Sequence, residues 1–422
     1  MSADVQAIEE FFRRRYGRPA LYVPSGRMAL YLAFREWLRP GDRILMSPVN
    51  DDVVFFTVLA AGLVPIVGPI DPTTGNLDPA ALDEPSWAGL HAVLTTNLYG
   101  IPDRMDLLEA QCRRHNLVLV EDAAHALDSR FGDRRIGQFG AVAAYSLSKH
   151  LGELGGVLTF AEADRHDAVA HRAALEIRRE PLAVAAANHL RSLLATVGAG
   201  TRPRQWLAGL RDRLFPRPPG RSGHRMQYDT TVVRRAQQEG GGLDRFDGWV
   251  RIDNPTYRTW PPRAAVRRAL QRLHAFEAQR PRRVAGARKL LASGLIPAGV
   301  AVPPDTALFR VPLFVRDRER ARAYFAERGV ALDYIYDPPL DLYAPGLTER
   351  HASPAAAAAW SRDVLPVDPL VADRFLALVA ESPGLCQPAQ PARPSRPSRS
   401  RQSDRLSEPE RDASLAERRT PH

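Results

Sequence analysis

The chain has 422 residues, 45% hydrophobic and 25% charged, with a formal charge of +10. A body of this length buries a large core without staples, and its two cysteines, Cys112 and Cys386, have no metal-ligand spacing, which excludes a disulfide framework and a structural zinc site. No apolar stretch approaches the ~18 residues of a membrane span.

The opening "MSADVQAIEEFFRRRYG" has acids early and no apolar run of a signal peptide, so the expected location is the cytoplasm. The positive charge comes almost entirely from arginine and is directed by no helix-turn-helix, finger or RNP-type signature. It suits anionic small substrates, such as nucleotide-linked ones, better than nucleic acid.

Along the chain, "RILMSPV" (43–49) reads as a buried strand opened by the turn "PGD", and "VVFFTVLAAG" (53–62) as a helix closed by glycine. "VPIVGPI" and "AVLTTNLYG" (92–100) are further strands. "MDLLEAQCRRHN" (105–116) is an amphipathic helix with Met105, Leu108 and Cys112 on one face. "LVLVEDAAHAL" (117–127) is a strand ending in two carboxylates. Strand and helix in steady succession predict an α/β fold with parallel strands, whose ligands sit at the strands' carboxyl ends.

From about 165 to 250 the chain turns basic and helical, broken by "PRPPGRSG" (216–223). Such helices cover a subunit edge, a membrane surface or a partner. A long helix opening at "PPRAAVRRAL" follows, with Val266, Leu270 and Leu273 on one face. "LFRVPLFV", "RERARAYFAERGV" and "ALDYIY" then predict strand, helix, strand, a small C-terminal α/β unit. Beyond about 383 the chain is rich in Pro, Arg and Ser and is expected to be disordered. The expected division is therefore 1–250 with a basic helical insertion at 165–250, then 251–383, then a tail at 384–422.

Taken singly, the polar candidates have plain structural readings. A strand-end acid such as Asp122 caps or pairs, "SGRMAL" (25–30) is a helix start, and Lys149 in "AAYSLSKHLGELGG" (143–156) is a solvated charge. Together they form an ordered set: a Ser-Gly helix start, an acid ending a strand, and Ser-x-Ser-Lys followed by glycines. That set, with "PGDRILMSPV", "AAGLVPIVGPIDPTTGNLDP" and "NLYGIPDRMDLLEAQCRRHN", resembles the DegT/DnrJ/StrS family of pyridoxal-phosphate sugar aminotransferases, of fold type I. The resemblance is strong over about 15–160 and looser over 250–380.

The resemblance implies a large mixed-sheet domain with a small C-terminal domain, pyridoxal 5'-phosphate as cofactor, and a homodimer. Its substrates would be an amino donor, such as glutamate, and a keto sugar or keto-cyclitol. Lys149 matches the lysine joined covalently to the cofactor, which then carries a proton to and from the substrate carbon. Asp122 would hold the charge of the ring nitrogen, and His125 stands where the family has Gln beside the cofactor's 3′-oxygen. Ser25, Gly26, Arg27, Ser146 and Ser148 compete for the phosphate, the helix start through its N–H groups. Tyr99, His150, Tyr257 and Arg258 are the candidates for substrate contact, the last two from a motif that reaches a neighbouring subunit's site.

Three departures stand out. The stretch from the serines to the lysine is about two residues short, and Asn50, Asp51 and Asp52 occupy the place of the aromatic that stacks on the ring. "TYRTW" keeps Tyr257 and Arg258 but has Thr256 in place of an amide. These leave two alternatives to transamination: a lyase or dehydratase on the same cofactor, or a binding subunit with a degraded site. Glu121 is expected to pair locally, Tyr334 and Tyr336 to lie in a strand with a core face rather than to line a pocket, and Trp206 and Trp260 to pack.

Overall fold

A computed structural model describes residues 2–178, 225–296, 300, 302–334, 336–351 and 354–386. In chain order its strands are β1 (Ala20–Val23), β2 (Arg43–Met46), β3 (Val64–Val67), β4 (Ala92–Thr95), β5 (Val118–Asp122), β6 (Arg130–Phe131), β7 (Arg134–Arg135), β8 (Val142–Ser146), β9 (Gly156–Phe160), β10 (Val311–Phe314), β11 (Glu349–Arg350) and β12 (Val364–Val367). Eight of them form one sheet in the order β1-β9-β8-β5-β4-β2-β3-β11. β9 runs antiparallel to both its neighbours, β1 and β8, and every other pairing is parallel. Seven strands therefore point one way, and their carboxyl ends share one edge.

Apart from the exposed edge strand β11, the strands are short, apolar and buried on both faces, as a sheet covered by crossover helices requires. Side chains alternate between two cores: Ile44 and Met46 join the helices Gly26–Trp37 and Asp52–Ala60, while Leu45 and Val93 join Ala3–Tyr16 and Met105–His115. Met105, Leu108 and Cys112 face the sheet as the periodicity predicts. The helix Arg263–Leu291 buries Val266 and Leu273, with Leu270 partly covered. Its C-terminal turns, through Ala287 and Leu290, enter a third core with β10, β12 and the helices Arg318–Glu327 and Ala372–Glu381.

Most of the expected elements of the first half are present, and the C-terminal segment needs one correction. "ALDYIY" is not a strand: residues 331–334 and 336 have no regular structure, and β10 pairs with β12 instead. Tyr334 lies on Arg318 and donates to Glu319, while Tyr336 turns toward the sheet, so the two rings serve different surroundings rather than one pleat. Most of the expected basic helical insertion, with Trp206, and nearly all of the tail lie outside the described residues. Among those described, no helix is long and apolar enough to cross a membrane, and no three metal-ligating side chains cluster.

Candidate active site

The sheet's carboxyl edge opens into a cleft with two arms, of ≈ 960 Å³ and ≈ 940 Å³, and Lys149 lines both. One arm begins at the helix Gly26–Trp37. Its cap, Ser25, accepts from the Met28 N–H at 3.2 Å and donates to the Tyr257 carbonyl at 2.7 Å. The Arg27 guanidinium binds the carbonyls of Val250 and Ile252. Both side chains are thus used to hold the loop of residues 250–257 against the helix start, and that loop brings Asp253 and Asn254 to the cleft. What Gly26 and Arg27 offer a ligand is their backbone: the first N–H groups of a helix have no acceptor within it.

Across from them, Ser146 ends β8 and its hydroxyl lies 2.9 Å from that of Ser148. A Cβ on Gly26 would stand 2.6 Å from the Ser146 Cβ, so only glycine lets the helix start meet this hydroxyl pair. Lys149 follows on the short helix Leu147–Leu151, which Gly152 closes in a left-handed conformation. Among the described residues, no hydrogen bond or ion pair engages its amine.

Asp122, at the end of β5, is buried and accepts from the Ala124 N–H at 2.9 Å. Burial pushes its carboxyl up to about 7, against the pull of the Ala124 N–H and the Lys149 charge. Asp51 is close enough to add to the rise. It caps the helix Asp52–Ala60, accepting from the Val53 N–H at 2.9 Å, and lines the same arm. Asp52 points away, accepting from the Met226 N–H, and Asn50 donates to Thr96. Glu121, beside Asp122, takes the N–H groups of Gly137, Phe139 and Gly140 and stays in the core.

The second arm is bordered by a column of rings. Phe309 and His125 stack at 4.7 Å, His125 and Tyr99 at 5.9 Å, and Tyr99 and Trp360 at 6.2 Å, with interplanar angles of 17°, 17° and 22°. Tyr99 is aimed by a strained turn, with φ of 43° at Asn97 and 59° at Tyr99. Asp103 holds that turn by accepting the N–H groups of Thr96 and Asn97. The Tyr99 N–H donates to His125 Nδ1 at 3.2 Å, so the His125 proton sits on Nε2. Burial and the Lys149 charge keep this imidazole neutral, well below its ordinary range.

The sequence profile of the DegT/DnrJ/EryC1/StrS aminotransferase family matches residues 3–172. Over those residues, about two fifths of the chain, the sequence is similar to that family. Two similar relatives are an L-glutamine:2-deoxy-scyllo-inosose aminotransferase of Streptomyces kanamyceticus, 34% identical over 37% of this chain and 39% of its own, and the dTDP-3-amino-3,4,6-trideoxy-alpha-D-glucose transaminase of Streptomyces venezuelae, 37% identical over 32% and 37%. The chain spans about two fifths of the length of the relatives it matches. The fold extends further: the E. coli GDP-4-keto-6-deoxy-D-mannose-3-dehydratase with bound hydrated PLP superposes with a TM-score of 0.59 at 17% identity, covering 90% of this chain and 91% of its own. The large sheet and the C-terminal unit are thus those of fold type I.

Set beside the family's expected site, the described residues fall into three groups. Gly26, Arg27, Ser146, Ser148, Asp122 and Lys149 share the first arm with Ser25, and Tyr99, His125 and Lys149 share the second. His150, Tyr257 and Arg258 line neither. His150 sits edge-on to Phe276 and Phe309 and donates from Nε2 to the His125 carbonyl at 3.0 Å, and burial pushes it down to about 3. Tyr257 donates to Asp247, and Arg258 pairs with Asp244 and Glu176. Sequence reasoning did not pick out Asn254, Phe309 or Arg310. Asn254 stands two residues before Thr256, so the amide sought there is present but displaced.

Proposed function

We propose that this chain is a pyridoxal-phosphate aminotransferase, moving an amino group from glutamate or glutamine to a keto sugar or keto-cyclitol. The observation that carries the reading is one cleft holding an amine, Lys149, a buried acid, Asp122, and a helix start opened toward two hydroxyls by Gly26. These residues fit the cofactor part by part. The N–H groups of Gly26 and Arg27, with Ser146 and Ser148, would hold its phosphate. Asp122 would hold the proton of its ring nitrogen, a cationic partner that returns the carboxyl to its charged form. The bound cofactor supplies an electron sink that acidifies the substrate carbon attached to nitrogen.

The chain's own side chains then divide the work. Lys149, with its amine unengaged among the described residues, is the base that takes a proton from the substrate carbon and returns it one position along. His125, a fixed donor at Nε2, offers a hydrogen bond whose direction the Tyr99 N–H sets. The substrates enter through the second arm, where Arg310 offers charge. Its guanidinium shares Asp368 with Arg283, so Asp368 stays paired if Arg310 turns to an anionic group. The reading includes a cytoplasmic homodimer, and division of the chain near 250.

The test is the absorption spectrum of the full chain with pyridoxal phosphate, beside Lys149→Ala. The expected result is a visible band that glutamate bleaches as the amine is transferred, and a cofactor that borohydride, bleaching the same band, fixes covalently to the wild type alone. An identical covalent band in both proteins overturns the assignment of Lys149. A band that responds to glutamate without an amino product appearing from a keto acceptor favours a lyase or dehydratase, and no band at all favours a binding subunit.

A further inference from the structure

Four aromatic side chains line the second arm: Tyr99, His125, Phe309 and Tyr336. The column accounts for three of them. Stacked neighbours cover both faces of His125 and of Tyr99, and Phe309 has His125 on one face and the edge of His150 beside it. The Tyr99 hydroxyl likewise has no hydrogen-bond partner among the described residues, but its ring is fixed between His125 and Trp360. Tyr336 differs. Its ring meets Tyr99 at 6.0 Å and a tilt of 46°, outside the stack. Only 4% of the residue is exposed, yet among the described residues its hydroxyl has no hydrogen-bond partner, and it is not among the polar atoms sealed from solvent.

The hydroxyl of a phenol buried to this extent, open only toward the arm, is satisfied there by water or by a ligand. Its surroundings say which kind. Tyr336 lines the arm that Lys149 enters, and its charged neighbours are Asp51, Asp122 and Arg225. Burial above all, then Tyr99 and the two carboxylates, hold the phenol in its protonated form, so it acts as a donor of one proton to an oxygen. Arg225 is occupied with the carbonyls of Asn50 and Pro338, which fixes the charge pattern around it.

We infer that the Tyr336 hydroxyl binds an oxygen substituent of a polyhydroxylated ring, a hydroxyl beside the carbon that receives nitrogen, and so selects the acceptor. The assignment rests on the proposed aminotransferase reading and adds a residue from the C-terminal segment. A hydrogen bond in a site screened from water separates a ligand that offers an oxygen from one that lacks it.

The test uses the full chain loaded with pyridoxal phosphate, as wild type, Tyr336→Phe and Tyr334→Phe. Calorimetry measures the binding of two probes that cannot be aminated, myo-inositol and dTDP-glucose, and stopped-flow absorbance measures the reaction with glutamate. Tyr336→Phe is expected to bind whichever probe the wild type holds about tenfold more weakly. The glutamate reaction is expected to fall by less than probe binding does, the melting temperature stays at its wild-type value, and Tyr334→Phe, whose hydroxyl serves Glu319, changes nothing. Binding within twofold of wild type overturns the assignment, as does a loss matched by an equal loss in the glutamate reaction. A wild type that holds neither probe also overturns it. The covalent band on Lys149 is read separately, so failure of the aminotransferase reading is distinguishable from failure of this one.

Discussion

Arg27 holds the carbonyls of Val250 and Ile252, although its place at a helix start suggests a phosphate ligand. With Ser25 on the Tyr257 carbonyl, it pins both ends of the loop that presents Asn254. Arg27→Gln is therefore expected to weaken pyridoxal-phosphate binding about tenfold by freeing the loop, a loss that added phosphate or higher salt does not mimic. Fluorescence titration of the cofactor at several salt concentrations checks this, since a direct ion pair with phosphate would fade as salt rises.

Gly26→Ala tests the cradle. The new methyl would meet the Ser146 Cβ at 2.6 Å, so β8 or the helix start must shift. We expect destabilisation of about 1–3 kcal/mol and a larger loss of cofactor affinity than from Ser148→Ala. Thermal melts with and without pyridoxal phosphate separate the two effects: the mutant loses most of the stabilisation that ligand gives the wild type.

Asp122 sets a pH dependence whose sign is fixed. Its carboxyl in the cofactor-free protein lies near 7, above the ordinary value of 3.8 that the unfolded chain keeps. Folding therefore favours the protonated form, and the native state loses stability as pH rises from about 4 through 7. Asp122→Asn removes that penalty. The cofactor-free mutant is expected to exceed wild type by on the order of 2 kcal/mol at pH 8 and to match it near pH 4, while losing the visible band of the loaded enzyme. Denaturation of both proteins across that range is the measurement.

His125 is expected to leave no inflection in rate between pH 6 and 8, because burial and the Lys149 charge hold it neutral throughout. His125→Gln, which keeps a donor, should retain most activity, and His125→Leu should lose at least tenfold, as the pH-rate profiles of the three proteins would show.

The large domain was legible because its signals are local. Alternating Ile44, Leu45 and Met46 report a strand covered on both faces, and Asp122 and Lys149 fall at strand ends whatever the tertiary packing. Serines 146 and 148 meet the helix start as expected, but Ser25 and Arg27 spend their side chains on a loop more than 220 residues away, which no local pattern reveals. Tyr336 was placed in a strand because Tyr-x-Tyr mimics a pleat. The real partner of β10, "VLPV" at β12, follows an alanine-rich helix and was not singled out. His150 shows the converse: beside Lys149 it invites a chemical role, yet helix geometry turns neighbouring residues in different directions and sends it between Phe276 and Phe309.

The ring column has a mechanical meaning. Two of its members from the sheet edge, His125 and Tyr99, lie between two from the C-terminal segment, Phe309 and Trp360. The two parts of the chain are thus interleaved like fingers rather than laid face to face. Sliding one past the other would prise flat rings apart, so the bearing of the His125 N–H is gauged by residues far from the cleft. Trp360, which touches neither arm, works as the end stop of that gauge, and its fluorescence would register any shift in the bearing.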